Sequence, residues 1–293
     1  MSLDLDVTMW TERLAIGPVR DVLRELEHAP DPGRVIAALA DHAEKLGISD
    51  LGRALTVTER LVDAADHLAD AGVRARVRRA RAQALAYSNR FEETLLVLAQ
   101  AVVLADAAGL ALEAATSRMT TLHALARLGR LDEAVQAGLL ARQVFEAHGE
   151  PLLAARTDIN LGVVLRMKDE PGSALEHFHN ARERVSGYPL LAAQLENNAA
   201  EAMLDLNQFD AAIAAFGRAL GFFRSAGVTR AQAIVEGNLA DLASRRGQIQ
   251  DALLHFENAR ANLGTDAAGD VARLLAERAE ALHSAGLLSL IHI

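Results

Sequence analysis

The chain has 293 residues, of which 51% are hydrophobic, 4% aromatic and 24% charged, with a net charge of −9. The absence of cysteine excludes disulfides, thiolate metal sites and a cysteine nucleophile, and the acidic balance argues against nucleic acid or an anionic membrane as the main partner. Alanine and leucine, strong helix formers, supply most of the apolar content, so the chain reads as all-α.

Residues 1–33 precede any regular pattern. "GPVRDVLRELEHAPDPG" predicts one short amphipathic helix from Pro18, stopped by the Pro30/Pro32 turn, forming an N-terminal cap that Trp10 packs. The start, "MSLDLDVTMW", has neither a basic nor an apolar leader segment, and no stretch approaches the length of a membrane span, so a cytoplasmic protein is expected.

From about Arg34 to Gly286 the sequence repeats with a period near 40. A weaker unit covers 34–70, and five clear ones follow. "ENNAAEAMLDLNQFDAAIAAFGRAL" and "EGNLADLASRRGQIQDALLHFENAR" align Asn198 with Asn238, Ala212 with Ala252, Phe216 with Phe256 and Ala219 with Ala259. "DINLGVVLRMKDEPGSALEHFHNAR" supplies Asn160, Ala174, Phe178 and Ala181, at a shift of 38 instead of 40. Each unit predicts two helices. The first ends at Asn89, Gly129, Asp169, Asn207 or Gly247, and the second opens two residues later at Phe91, Leu131, Pro171, Phe209 or Ile249. The A-x3-F-x2-A spacing places two small residues and one aromatic on a single helix face. A half unit follows over 272–286.

This pattern resembles the tetratricopeptide repeat, stretched from the usual length of about 34 residues. It is similar to the long-helix arrays of kinesin light chains and of bacterial CHAT-domain proteins, and looks most like the latter. The resemblance implies a right-handed α-solenoid, or superhelix, of antiparallel helix pairs over 34–286. It also implies a concave groove lined by the first helices, which binds an extended peptide or protein segment.

Carried over unit by unit, the groove positions are Arg76, Arg79 and Gln83; Thr116, Thr120, His123 and Arg127; Arg156, Asn160 and Arg166; Gln194, Asn197, Asn198, Glu201 and Asp205; and Asn238, Asp241 and Arg245. Asn160, Asn198 and Asn238 either form a ladder that holds a peptide backbone or bond within the helix stack. The chaperone-type carboxylate clamp does not match, since its positions hold Arg79, Gln83, Met119 and His123.

The run "RARVRRARAQ" is split between two helix faces and does not form a nucleic-acid patch. His177 and His179 lie two apart and point away from each other on a helix, no HExxH is present, and no phosphate loop or nucleophile elbow is legible. No enzyme, cofactor or metal site is expected.

Residues 287–293, "LLSLIHI", break the repeat with an apolar run and are expected to be a non-native tail on the N-terminal part of a longer protein. That protein would carry a C-terminal effector as the groove's partner. Two further readings are the sensor arm of a transcriptional regulator and an oligomerisation module that dimerises through the C-terminal edge.

Overall fold

The computed structural model describes residues 7–17, 19–263 and 276; among them are fourteen α-helices and no strand. They are α1 (Val7–Ile16), α2 (Val19–Glu27), α3 (Pro32–Ser49), α4 (Leu51–Asp66), α5 (Ala71–Tyr87), α6 (Phe91–Ala107) and α7 (Ala111–Arg127), then α8 (Leu131–Ala147), α9 (Pro151–Met167), α10 (Pro171–Arg182), α11 (Pro189–Asp205), α12 (Phe209–Ser225), α13 (Thr229–Arg245) and α14 (Ile249–Leu263). The chain divides after Asn160, within α9, into two compact units. The half unit over 272–286 (save residue 276) and the tail over 287–293 lie outside the described residues. So does the edge through which two copies were expected to pair.

Helices of 17 residues separated by three-residue turns account for the 40-residue period. The turns close in one way. Asn89, Gly129, Asp169, Asn207 and Gly247, at the ends of the first helices, all have φ between 57° and 73°. In each turn the following residue's N–H reaches back five residues, as Arg90 to the Leu85 carbonyl and Gln248 to the Ala243 carbonyl. The last carbonyls are thereby satisfied and the helix stops. Glycine takes this conformation freely, and Asn and Asp are the side chains that tolerate it best. Gly109, Gly149 and Gly227 repeat the device at the ends of α6, α8 and α12. α10 does not: it stops at Arg182 and runs through irregular turns to Tyr188, which is where the two-residue shortfall of that repeat resides.

The architecture is an all-α solenoid of antiparallel helix pairs. Alanines hold neighbouring helices close: Ala174 and Ala181, Ala212 and Ala219, and Ala252 and Ala259 are buried, and between each pair a phenylalanine (Phe178, Phe216 or Phe256) is buried too. The opposing residues on the first helices are small, namely Gly162, Ala200 and Ala240. The α9–α10 fit is the tightest, since a Cβ at Gly162 would come within 2.5 Å of the Phe178 ring. At the N-terminus the structure has one more helix than the sequence pattern predicts. In α1, Leu14 and Thr11 are buried and Trp10 packs on the core shared with α3 and α4, so tertiary burial rather than amphipathic periodicity fixes this element.

A charged pair crosses each junction between a second helix and the next first helix. The pairs are Asp66–Arg78 at 2.6 Å, Asp106–Arg118 at 2.6 Å, Arg142–Asp158 at 2.9 Å, Arg182–Glu196 at 2.9 Å and Arg224–Glu236 at 3.0 Å. The first-helix member occupies one position of the repeat, and Asp158, Glu196 and Glu236 are buried there. Polarity inverts midway: the first helices contribute arginine twice, then a carboxylate three times. Glu236 shows the balance involved. Burial raises its pKa, but hydrogen bonds from His255 and Asn258 and the charges of His255 and Arg224 outweigh burial and hold it below its usual value.

Arg142→Ala leaves the fully buried Asp158 without its guanidinium and is expected to cost about 3 kcal/mol or more by urea denaturation. Exchanging the two residues (Arg142→Asp with Asp158→Arg) is expected to recover part of that loss. Gly162→Ala is expected to cost about 1–3 kcal/mol by overpacking against Phe178.

Candidate functional site

Each first helix of the N-terminal unit keeps one stripe open to solvent. On α7 it is Thr116, Thr120, His123 and Arg127, whose spacing puts them on one helix face, and none of them is buried. The equivalent residues on α5 are Arg76, Ala80, Gln83 and Tyr87, of which only Ala80 is buried. On the part of α9 in this unit they are Arg156 and Asn160. α5 packs directly on α7, and Ala115 and Met119 of α7 share an apolar cluster with Leu153 and Ala154 of α9, so the three stripes lie side by side.

The structure sorts the predicted arginines into committed and uncommitted. Arg79 is largely buried between two carboxylates, donating through Nε to Glu113 at 2.7 Å and through Nη1 to Glu44. Burial lowers its pKa, but the two carboxylates more than offset this and raise it; Glu44 is itself pushed up, since burial outweighs the attraction of Arg79. Arg76 pairs with Asp41 at 3.7 Å. Elsewhere on these helices Arg78, Arg81 and Arg118 also have carboxylate partners.

Arg127 and Arg156 are both exposed and have no carboxylate partner among the described residues. Arg127 lies over the Phe91 ring at 5.5 Å, a contact that orients the guanidinium while leaving its N–H donors free. Gln83 and Asn160 make no side-chain hydrogen bond among the described residues, whereas Thr116 and Thr120 bond back to their own helix.

His123 is exposed by area, yet burial lowers its pKa, with the charge of Arg127 adding to the effect. The imidazole therefore stays neutral to lower pH than a free histidine.

In the C-terminal unit the predicted residues form a closed network. Asn238 donates through Nδ2 to Asn197 Oδ1 and to Glu201 Oε1, each at 3.0 Å, and Asn197 donates to Glu201 at 2.8 Å. Arg166 pairs with Glu201 and, at 3.4 Å, with Asp205. Asp241 and Arg245 pair with each other at 2.9 Å. Asn238 thus contacts Asn197 and not its repeat counterpart Asn198, which makes no side-chain hydrogen bond among the described residues and is half-buried. The sequence reading missed Asp41, Glu44 and Glu113. Their signal was an acidic residue about 35 positions before or after an arginine, roughly one repeat away.

No protein-family model matches the chain, and no curated protein matches it in sequence. Among solved structures it is similar to the Rap protein complexed with Competence and Sporulation Factor, at 12% identity over 100% of this chain and 86% of that one, with a TM-score of 0.70. It is also similar to NprR in complex with its cognate peptide NprX, at 12% identity over 99% of this chain and 88% of that one, with a TM-score of 0.66. A third similar structure is that of the TPR-like repeats of a kinesin light chain from Podosopora anserina, at 15% identity over 68% of this chain and 98% of that one, with a TM-score of 0.54. The chain has a tetratricopeptide-like helical repeat fold.

Asn238→Ala removes two hydrogen bonds, one to a carboxylate, and is expected to cost about 1–3 kcal/mol by urea titration, whereas Asn198→Ala is expected to stay within about 0.5 kcal/mol. An NMR titration is expected to place the His123 midpoint below 6.5, and Arg127→Ala to raise it part of the way back, because burial is the larger cause. A midpoint that does not move would show that Arg127 does not act on the ring.

Proposed function

We propose that the chain is a non-catalytic scaffold whose first helices bind an extended peptide or a segment of a protein partner. One observation carries this reading: Gln83, His123, Arg127, Arg156 and Asn160 are accessible polar side chains on packed helices, and none has a hydrogen-bond or ion-pair partner among the described residues. Amides offer donors and an acceptor to any peptide backbone, and helices hold them in place, which lowers the entropic cost of binding. Two structures of similar fold support the reading, one named with Competence and Sporulation Factor bound and the other with a cognate peptide.

In the C-terminal unit we assign Asn198 and the remaining acceptor, Oδ1, of Asn238 to the same role; the Arg166–Glu201 network serves to hold Asn238 in orientation. No described helix is long and apolar enough to cross a membrane, and we place the protein in the cytoplasm. The resemblance to CHAT-domain arrays would make the partner an effector domain of the same polypeptide.

Panning a display library of random 12-residue peptides against the full chain tests the reading. Hits are expected to lose at least tenfold in affinity by fluorescence anisotropy when Asn160 and Arg156 are both changed to Ala. A library that yields no binder competed by free peptide would sink the proposal.

A further inference from the structure

The accessible stripes of the N-terminal unit are not electrically neutral. α5, α7 and the first ten residues of α9 contain only two carboxylates, Glu113 and Asp158, and both are already paired: Glu113 with Arg79 and Asp158 with Arg142. Asp41 and Glu44, which reach this surface from α3, are taken by Arg76 and Arg79. What remains uncommitted is cationic or neutral: Arg127 and Arg156, together with Gln83, His123 and Asn160. Arg127 is held by the Phe91 ring with its donors unspent, ready for a carboxylate.

From this charge pattern we infer that the N-terminal unit selects an acidic segment of its partner, with Arg127 and Arg156 receiving its carboxylates and His123 hydrogen-bonding beside Arg127. This rests on the peptide-binding reading above and narrows it. The chain as a whole carries −9 and repels polyanions, so any preference for an acidic ligand must arise in a local patch of this kind.

His123 supplies an independent readout. The charge that acts on it in the free protein is Arg127, and α5 faces it with the neutral Gln83 at the equivalent repeat position. A bound carboxylate would favour the imidazolium, raise the midpoint and take up a proton, so affinity would increase as pH falls.

The test uses fluorescein-labelled hexaglutamate, hexalysine and a neutral Gly-Ser peptide of equal length, titrated with the full chain at low and at 150 mM salt. Hexaglutamate is expected to bind at least tenfold more tightly than the other two, to weaken with salt, and to raise the His123 NMR midpoint. Arg127→Ala with Arg156→Ala is expected to abolish the preference. The charge reversal Arg127→Glu with Arg156→Glu, checked for folding by circular dichroism, is expected to turn it toward hexalysine.

Equal binding of the three peptides would overturn the inference, as would a preference for hexaglutamate that survives both double variants. If the display library instead yields binders without acidic residues, peptide binding stands and acidic selection falls. If it yields no binder, the broader reading falls as well.

Discussion

The ion pair at each repeat junction is the constraint on which the rest of the stack depends. Helices that meet through alanines bury small and similar surfaces, so an interface of this kind discriminates weakly between one register and the next. A charged group with no access to water has few acceptable surroundings. Asp158 is fully buried, and Glu196 and Glu236 are nearly so. Asp158 meets Arg142, Glu196 lies between Arg182 and Arg218, and Glu236 meets Arg224 and His255, so each is accommodated only where the neighbouring helices deliver such partners. Within each unit, that register brings the open stripes of successive first helices alongside one another. The open stripes therefore inherit their alignment from charges on the far side of the same helices.

What the sequence discloses is what the chain does locally. The left-handed residues Asn89, Gly129, Asp169, Asn207 and Gly247 end helices by bonds spanning five residues, and they are legible because only a few residue types tolerate the conformation. The Ala and Phe spacing is legible because it recurs at the helical period. The junction pairs are not, since their polarity reverses between Arg118 and Asp158 and no fixed residue type marks the position. α1 was missed because its burial depends on α3 and α4, which lie beyond any local window.

The same distinction explains the candidate site. Periodicity and resemblance placed Arg76, Arg79, Arg127 and Arg156 on the inner stripes, but periodicity cannot say which arginine is already occupied. Glu113 lies 34 residues from Arg79 in the chain and 2.7 Å away in space. Once such partners are assigned, the arginine-rich run at the start of α5 is largely neutralised, and the free positive charge moves to α7 and α9. The asparagines divide in a similar way: Asn238 spends its N–H donors on Asn197 and Glu201, while Asn160 and Asn198 retain theirs.

The reversal of polarity along the junctions also bears on how a gene built of repeats keeps its length. Tandem copies invite unequal recombination, which deletes whole units while preserving the reading frame and every turn. A deletion joining α6 directly to α9 would set Asp106 against Asp158, two carboxylates with no arginine between them, where the intact chain sets Asp106 against Arg118. Such a shortened chain would leave the buried Asp158 without a cation and beside a second carboxylate at its new seam. Loss of a unit wholly on one side of the reversal would instead leave every pair of opposite sign. The charge order therefore guards the middle of the array against contraction more strongly than its ends.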